Sequence, residues 1–110
     1  MKYRVIPVDC FKKEAAQLIK KYPSLKNELL RLNDELSEKP NKGKPIGNGA
    51  YKIRISIKSK GKGKRGGARV ITYVLVENQE VYLLTIFDKS EYDTIDDRTL
   101  KQILRSIANV

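Results

Sequence analysis

Lysine and arginine recur at alternate positions in YKIRISIK, residues 51–58, where Lys52, Arg54 and Lys58 interleave with Tyr51, Ile53, Ile55 and Ile57. A period of two is that of a β-strand with one covered and one open face. Lys52 and Arg54 must then project to one side, about 7 Å apart, with Lys58 further along that side. Like charges aligned on a sheet cost stability, so a face that keeps them suits a phosphate-rich ligand. The strand runs into SKGKGKRGG, which adds Lys60, Lys62, Lys64 and Arg65 among glycines. Taken alone, that stretch reads equally as a hairpin loop kept soluble by its lysines. It lacks the spacing and the trailing Lys-Ser/Thr pair of a phosphate-binding P-loop.

The placement of charge points the same way. The 110-residue chain has a net charge of +10, and from Lys39 to Arg69 it carries eleven basic residues without one Asp or Glu. Elsewhere 12 basic residues face 13 acidic ones, so the whole excess sits in one block. Charge serving solubility alone would be spread over the surface, whereas a block implies a polyanion, most simply nucleic acid. There is no histidine and only one cysteine, so a structural zinc site, an imidazole-based triad and an internal disulfide are all excluded. Cys10, between a predicted strand and a predicted helix, is expected to be a small buried side chain.

Hydrophobic residues make up 40% of the chain and charged residues 33%, an ordinary globular balance that fits a single domain, 1–110, with one core. No apolar run reaches the roughly 18 to 20 residues of a membrane span, and MKYRVIPVDCF lacks a signal-peptide apolar region, so a cytoplasmic protein without a membrane partner is expected.

Elements that could position the basic residues follow from the pattern. KYRVIPV (2–8) reads as a first strand. Asp9 is a candidate cap for a helix with Phe11, Ala15, Leu18, Ile19 and Tyr22 on one side, ended by Pro23. Ser24 can cap a second helix striped by Leu25, Leu29, Leu32 and Leu36, which makes the pair an antiparallel hairpin. KPNKGKPIGNG (39–49) reads as a loop. After the strand at 51–58 come two largely apolar strands, ARVITYVLV (68–76) and VYLLTIF (81–87), joined by a turn at ENQE. A last helix, capped near Thr94 or Asp96, aligns Leu100, Ile103, Leu104 and Ile107. The expected class is α+β in the order β-α-α-β-β-β-α, a mainly antiparallel sheet with the helical hairpin packed on one face. Tyr51, Tyr73 and Tyr82 fall on strands, where tyrosines are ordinarily core or rim residues. Tyr92 instead follows the last strand, where the chain leaves the sheet.

FKKEAAQLIKKYPSLKNEL (11–29), IGNGAYKIRI (46–55), KRGGARVITYV (64–74) and LLTIFDKSE (83–91) together resemble the RelE/ParE superfamily of bacterial toxin–antitoxin systems, specifically its RelE/HigB-like branch, over almost the whole chain. The last two segments are the specific ones; the helical part is generic. The resemblance implies a toxin that enters the ribosomal A site and cleaves messenger RNA there with neither metal nor cofactor. It also implies a cognate antitoxin that holds the toxin inactive. Carried over by position, the family's working residues fall on Lys52, Arg54, Arg69 and Lys89, with Tyr92 the nearest match to a C-terminal tyrosine. Lys58, Lys60, Lys62, Lys64 and Arg65 would contact RNA, although the Lys/Gly loop is longer and more basic than in the shortest members.

Attack of a 2′-hydroxyl on the adjacent phosphate needs a base, stabilisation of the developing phosphorane charge, and a proton for the leaving oxygen. Without histidine, a lysine can be the base if its pKa, ordinarily about 10.4, is lowered by neighbouring cations. Lys52 beside Arg54 offers that setting, with Arg54 and Arg69 as phosphate clamps and Lys89 or Tyr92 as the proton source. Two other readings use the same fold: a ParE-like inhibitor of DNA gyrase, which would not need the basic set, and a catalytically inactive RNA-binding relative.

Overall fold

The computed structural model describes residues 2–58, 67–90 and 95–108. The apolar stripes and alternating segments become β1 (Arg4–Pro7), α1 (Asp9–Lys21), α2 (Leu25–Glu38), β2 (Lys44–Gly47), β3 (Ala50–Ile55), β4 (Ala68–Leu75), β5 (Glu80–Asp88) and α3 (Asp97–Ala108). The strands form one sheet in the order β1-β5-β4-β3-β2, with β1 parallel to β5 and the other neighbours antiparallel. The α+β class and the helical hairpin agree with expectation.

One element was not expected. The segment 39–49, read above as loop, contains β2, whose Lys44 pairs with Lys52 and whose Gly47 pairs with Ala50. The turn between them is Asn48-Gly49, and both residues have positive φ, 56° and 79°. That is the backbone a tight hairpin requires, and Asn-Gly is its preferred sequence. Pro45 is tolerated because β2 is an edge strand and needs no outward donor.

Packing is two-sided. On one face Phe11 and Ala15 of α1 and Leu25, Leu32 and Leu36 of α2 bury Ile53, Ile55, Val70, Val81 and Ile86. On the other, Leu100 of α3, flanked by Ile103, Leu104 and Ile107, lies over Ile71, Leu84 and Phe87. The edge of β5 is guarded along its length: β1 pairs it as far as Leu83, and beyond that Glu14 of α1 accepts the Ile86 N–H at 3.4 Å and the Thr85 hydroxyl at 2.6 Å.

The helix starts differ from expectation in detail. Val8, not Asp9, is the capping residue of α1: it is extended and its N–H donates to Leu83 O at 3.1 Å, so the helix begins as soon as β pairing ends. Asp9 sits in the first turn, where a carboxylate still favours the helix dipole. Ser24 occupies the capping position of α2 without a side-chain cap bond. Cys10 is exposed, contrary to expectation, because it lies about 100° around α1 from Phe11, off the core stripe. Partial burial, and then the charge of Glu14, push its thiol pKa up, which keeps it protonated.

Two expected outcomes follow from these contacts. Thr72 is fully buried at the β4–β5 bulge, and its hydroxyl has no hydrogen-bond partner among the described residues. Thr72→Val should therefore raise unfolding free energy by about 1 kcal/mol, read from the urea midpoint. At α3, Asp96 Oδ1 accepts the Thr99 N–H at 2.7 Å. That backbone bond, and then the Thr99 hydroxyl, hold the Asp96 carboxyl below its usual range. A depressed carboxyl stabilises the fold above its unfolded pKa, near 3.9, and the contribution disappears as pH falls through the folded value. Acidification below about pH 4 should thus lower the protection factor of the Thr99 amide, the measured exchange rate being compared with the intrinsic rate at the same pH. Unchanged protection there would show that the cap carries no stability.

Candidate nucleic-acid interface

Strand register decides which basic side chains meet. Arg54 of β3 lies directly opposite Arg69 of β4, Arg69 opposite Phe87 of β5, and Lys52 opposite Ile71. Alternation then places Lys52, Arg54 and Arg69 on the face of Ile71 and Phe87, the one that α3 covers in part. Directly opposed residues have Cβ atoms about 5 Å apart, so Arg54 and Arg69 are immediate neighbours. The open face expected from the sequence is thus narrower than a whole sheet. Its apolar half lies under α3, and the cations continue it towards β2.

Exposure separates the three. Arg54 is exposed and Lys52 half-buried. Arg69, expected on open surface, is only 1% exposed, and its Nη1 donates to Ala68 O at 3.1 Å. It sits on a central strand between Arg54 and Phe87, and its side chain is closed to solvent there.

Lys89 joins them from the end of β5. Its N–H donates to Gly67 O at 3.0 Å, so β pairing extends one residue past the strand and alternation returns Lys89 to the side of Phe87. The turn that carries it is tied by Asp88, a carboxylate 2% exposed. Asp88 Oδ1 accepts the Ser90 N–H and hydroxyl, both at 2.9 Å, and Oδ2 accepts the Tyr22 hydroxyl at 3.3 Å. The tip of the helical hairpin therefore holds the exit of β5 in place.

Other expected residues fall elsewhere. β3 ends at Ile55, so alternation no longer assigns Lys58 to the face of Lys52; it is exposed beyond the strand. Lys60, Lys62, Lys64, Arg65 and Tyr92 lie outside the described residues. Tyr73 and Tyr82 are rim residues, as expected, with ring centroids 6.3 Å apart. The Tyr82 hydroxyl donates to Glu80 at 2.9 Å, and that bond, with burial, raises its pKa. A cavity of about 690 Å³ opens between them and Leu104, Arg105 and Ile107 of α3, apart from the cation row. A polymer bound along a face needs no such enclosure. Sequence reading passed over Lys44, which β2 sets directly opposite Lys52. The signal was available in Asn48-Gly49, a hairpin turn that converts the preceding residues into a strand.

No protein-family model matches the sequence. Among solved structures, the chain is similar to a mutant of the Escherichia coli toxin RelE in the free state, with 16% identity and a TM-score of 0.64, covering 97% of this chain and 99% of that one. It is also similar to the isolated E. coli RelE toxin, with 18% identity and a TM-score of 0.60 over 94% and 97% of the two chains. The fold is RelE-like. A third RelE-like neighbour is a chain of the toxin–antitoxin complex RelBE2 from Mycobacterium tuberculosis, with 19% identity and a TM-score of 0.61 over 80% of this chain and 99% of that one. At such identities the likeness is one of backbone course, and within it the RelE-like sheet of this chain carries its own cation row. No helix among the described residues is long and apolar enough to cross a membrane.

Proposed function

We propose that this chain is a toxin that cleaves messenger RNA in the ribosomal A site and is held inactive by a cognate antitoxin. The observation that carries the reading is the placement of Lys52 and Arg54 of β3 on one face of a RelE-like sheet, beside the buried Arg69 of β4, with Lys89 one residue past β5. In the proposed reaction Lys52 removes the proton of a 2′-hydroxyl, and the oxygen attacks the adjacent phosphorus. Arg54, backed by Arg69, holds the charge that develops on the phosphorane oxygens. The bond to the 5′ oxygen breaks, Lys89 or Tyr92 supplies its proton, and the products are a 2′,3′-cyclic phosphate and a 5′-hydroxyl end. Lys58, Lys60, Lys62, Lys64 and Arg65 would hold flanking phosphates and ribosomal RNA. No step calls for a metal or cofactor.

An antitoxin partner is supported by the RelBE2 neighbour, which is a toxin–antitoxin complex. A basic face of this kind would be complemented by acidic side chains of that partner. The test is to induce the chain briefly in bacteria and map transcript 5′ ends, with and without the product of the adjacent gene. New ends inside translated frames, absent when the partner is co-expressed, are expected. Intact transcripts would overturn the reading, and DNA damage with translation continuing would replace it with gyrase inhibition.

A further inference from the structure

The edge hairpin brings a further cation to the row. Lys44 of β2 is exposed and lies directly across from Lys52, with Cβ atoms about 5 Å apart. Like charges directly opposed weaken a strand pair. Lys44 meets no carboxylate among the described residues. Its neighbour Lys42, by contrast, is paired with Glu35 of α2, which anchors the chain entering β2. Pairing with Lys52 puts Lys44 on the side of Arg54 and Arg69, so the cations run Lys44, Lys52, Arg54, Arg69 from the sheet edge to its second central strand. Two strand steps of about 4.8 Å and one step of about 7 Å along β3 make that track too long for a single phosphate group.

We propose that Lys44, at the outer end of this row, forms a second phosphate subsite, which holds the RNA phosphate next to the one engaged by Arg54 and leaves Lys52 to its role at the 2′-hydroxyl. This rests on the reading of the chain as an RNA-cleaving protein and adds to it the direction of the strand, leaving the site over the β2 edge. A lysine at that place grips as a mobile point charge and affects binding more than turnover.

The test is equilibrium binding of a fluorescein-labelled single-stranded RNA by anisotropy over a salt series, which needs neither ribosomes nor cleavage. Lys44→Met should weaken binding several-fold at low salt and reduce the slope of log K against log salt by about 0.7, the contribution of one phosphate contact on a single strand. Lys44→Arg should restore the slope. Lys26→Met, on exposed α2 surface, should leave it unchanged. A Lys44→Met slope equal to wild type, with Arg54→Met reducing it, would overturn the subsite and leave the proposed function standing. Absence of salt-dependent RNA binding by the wild-type chain would overturn both.

Discussion

On the proposed mechanism, replacing Lys52 by methionine should lower messenger RNA cleavage in a translating extract by about 10²- to 10⁴-fold, the range expected for loss of a general base. The stem of the side chain is kept, so packing against the β3 surface changes little. The charge opposed to Lys44 disappears, which removes a like-charge cross-strand pair along with the contacts Lys52 itself makes. The thermal midpoint should therefore move by no more than a few degrees, as for substitutions away from the core. Loss of activity without loss of fold separates a chemical role from a structural one. Cleavage at the wild-type rate would show that Lys52 is not the base and shift attention to the residues outside the described segments.

The second large effect concerns the backbone beneath the cations. Gly67 immediately precedes β4, and a Cβ built on it would lie 1.9 Å from Ile55 O and 2.9 Å from Ser56 Cα. Both obstacles are main chain, so neither can rotate away. Gly67→Ala must therefore push β3 and β4 apart where Arg54 faces Arg69 and where Lys89 N–H reaches Gly67 O. A cost of about 3 kcal/mol is expected, at the upper end of overpacking effects and a large share of a small domain's stability. Urea unfolding measures it directly. A midpoint within error of wild type would mean that the hairpin can open at that point without cost.

Much of this architecture was written in local patterns. The i, i+4 stripes of Phe11 and Ala15 and of Leu25, Leu29, Leu32 and Leu36 located the hairpin, because a helix of this length buries one face and the period reports it. Alternation at 51–55 correctly separated Ile53 and Ile55, which are buried, from Lys52 and Arg54. Two kinds of information were missing. Register is set by turn geometry, so the Arg54–Arg69 and Lys44–Lys52 pairs could not be read without knowing where each hairpin closes. The covering of one face by α3 depends on the path of the chain after β5, which no periodicity encodes. For the same reason the near-complete burial of Arg69 was invisible: the residue type and alternation indicate an open surface, and only its place on a central strand contradicts it. Cys10 failed similarly, since a single residue beside a stripe has no periodic signal of its own.

The parallel pairing of β1 with β5 also governs when the molecule can exist. Arg4 finds its partner Glu80 76 positions later, so the first strand has nowhere to dock until β5 has been made. Helices α1 and α2 can coil early from nearby contacts, but the sheet they cover is completed from its most distant parts, a topology that folds slowly. The cation row straddles β3 and β4, and β4 is held on its far side by β5. Its geometry is therefore assembled only once β5 has been made and has paired with β4, so a chain cut short before β5 cannot hold these side chains in register.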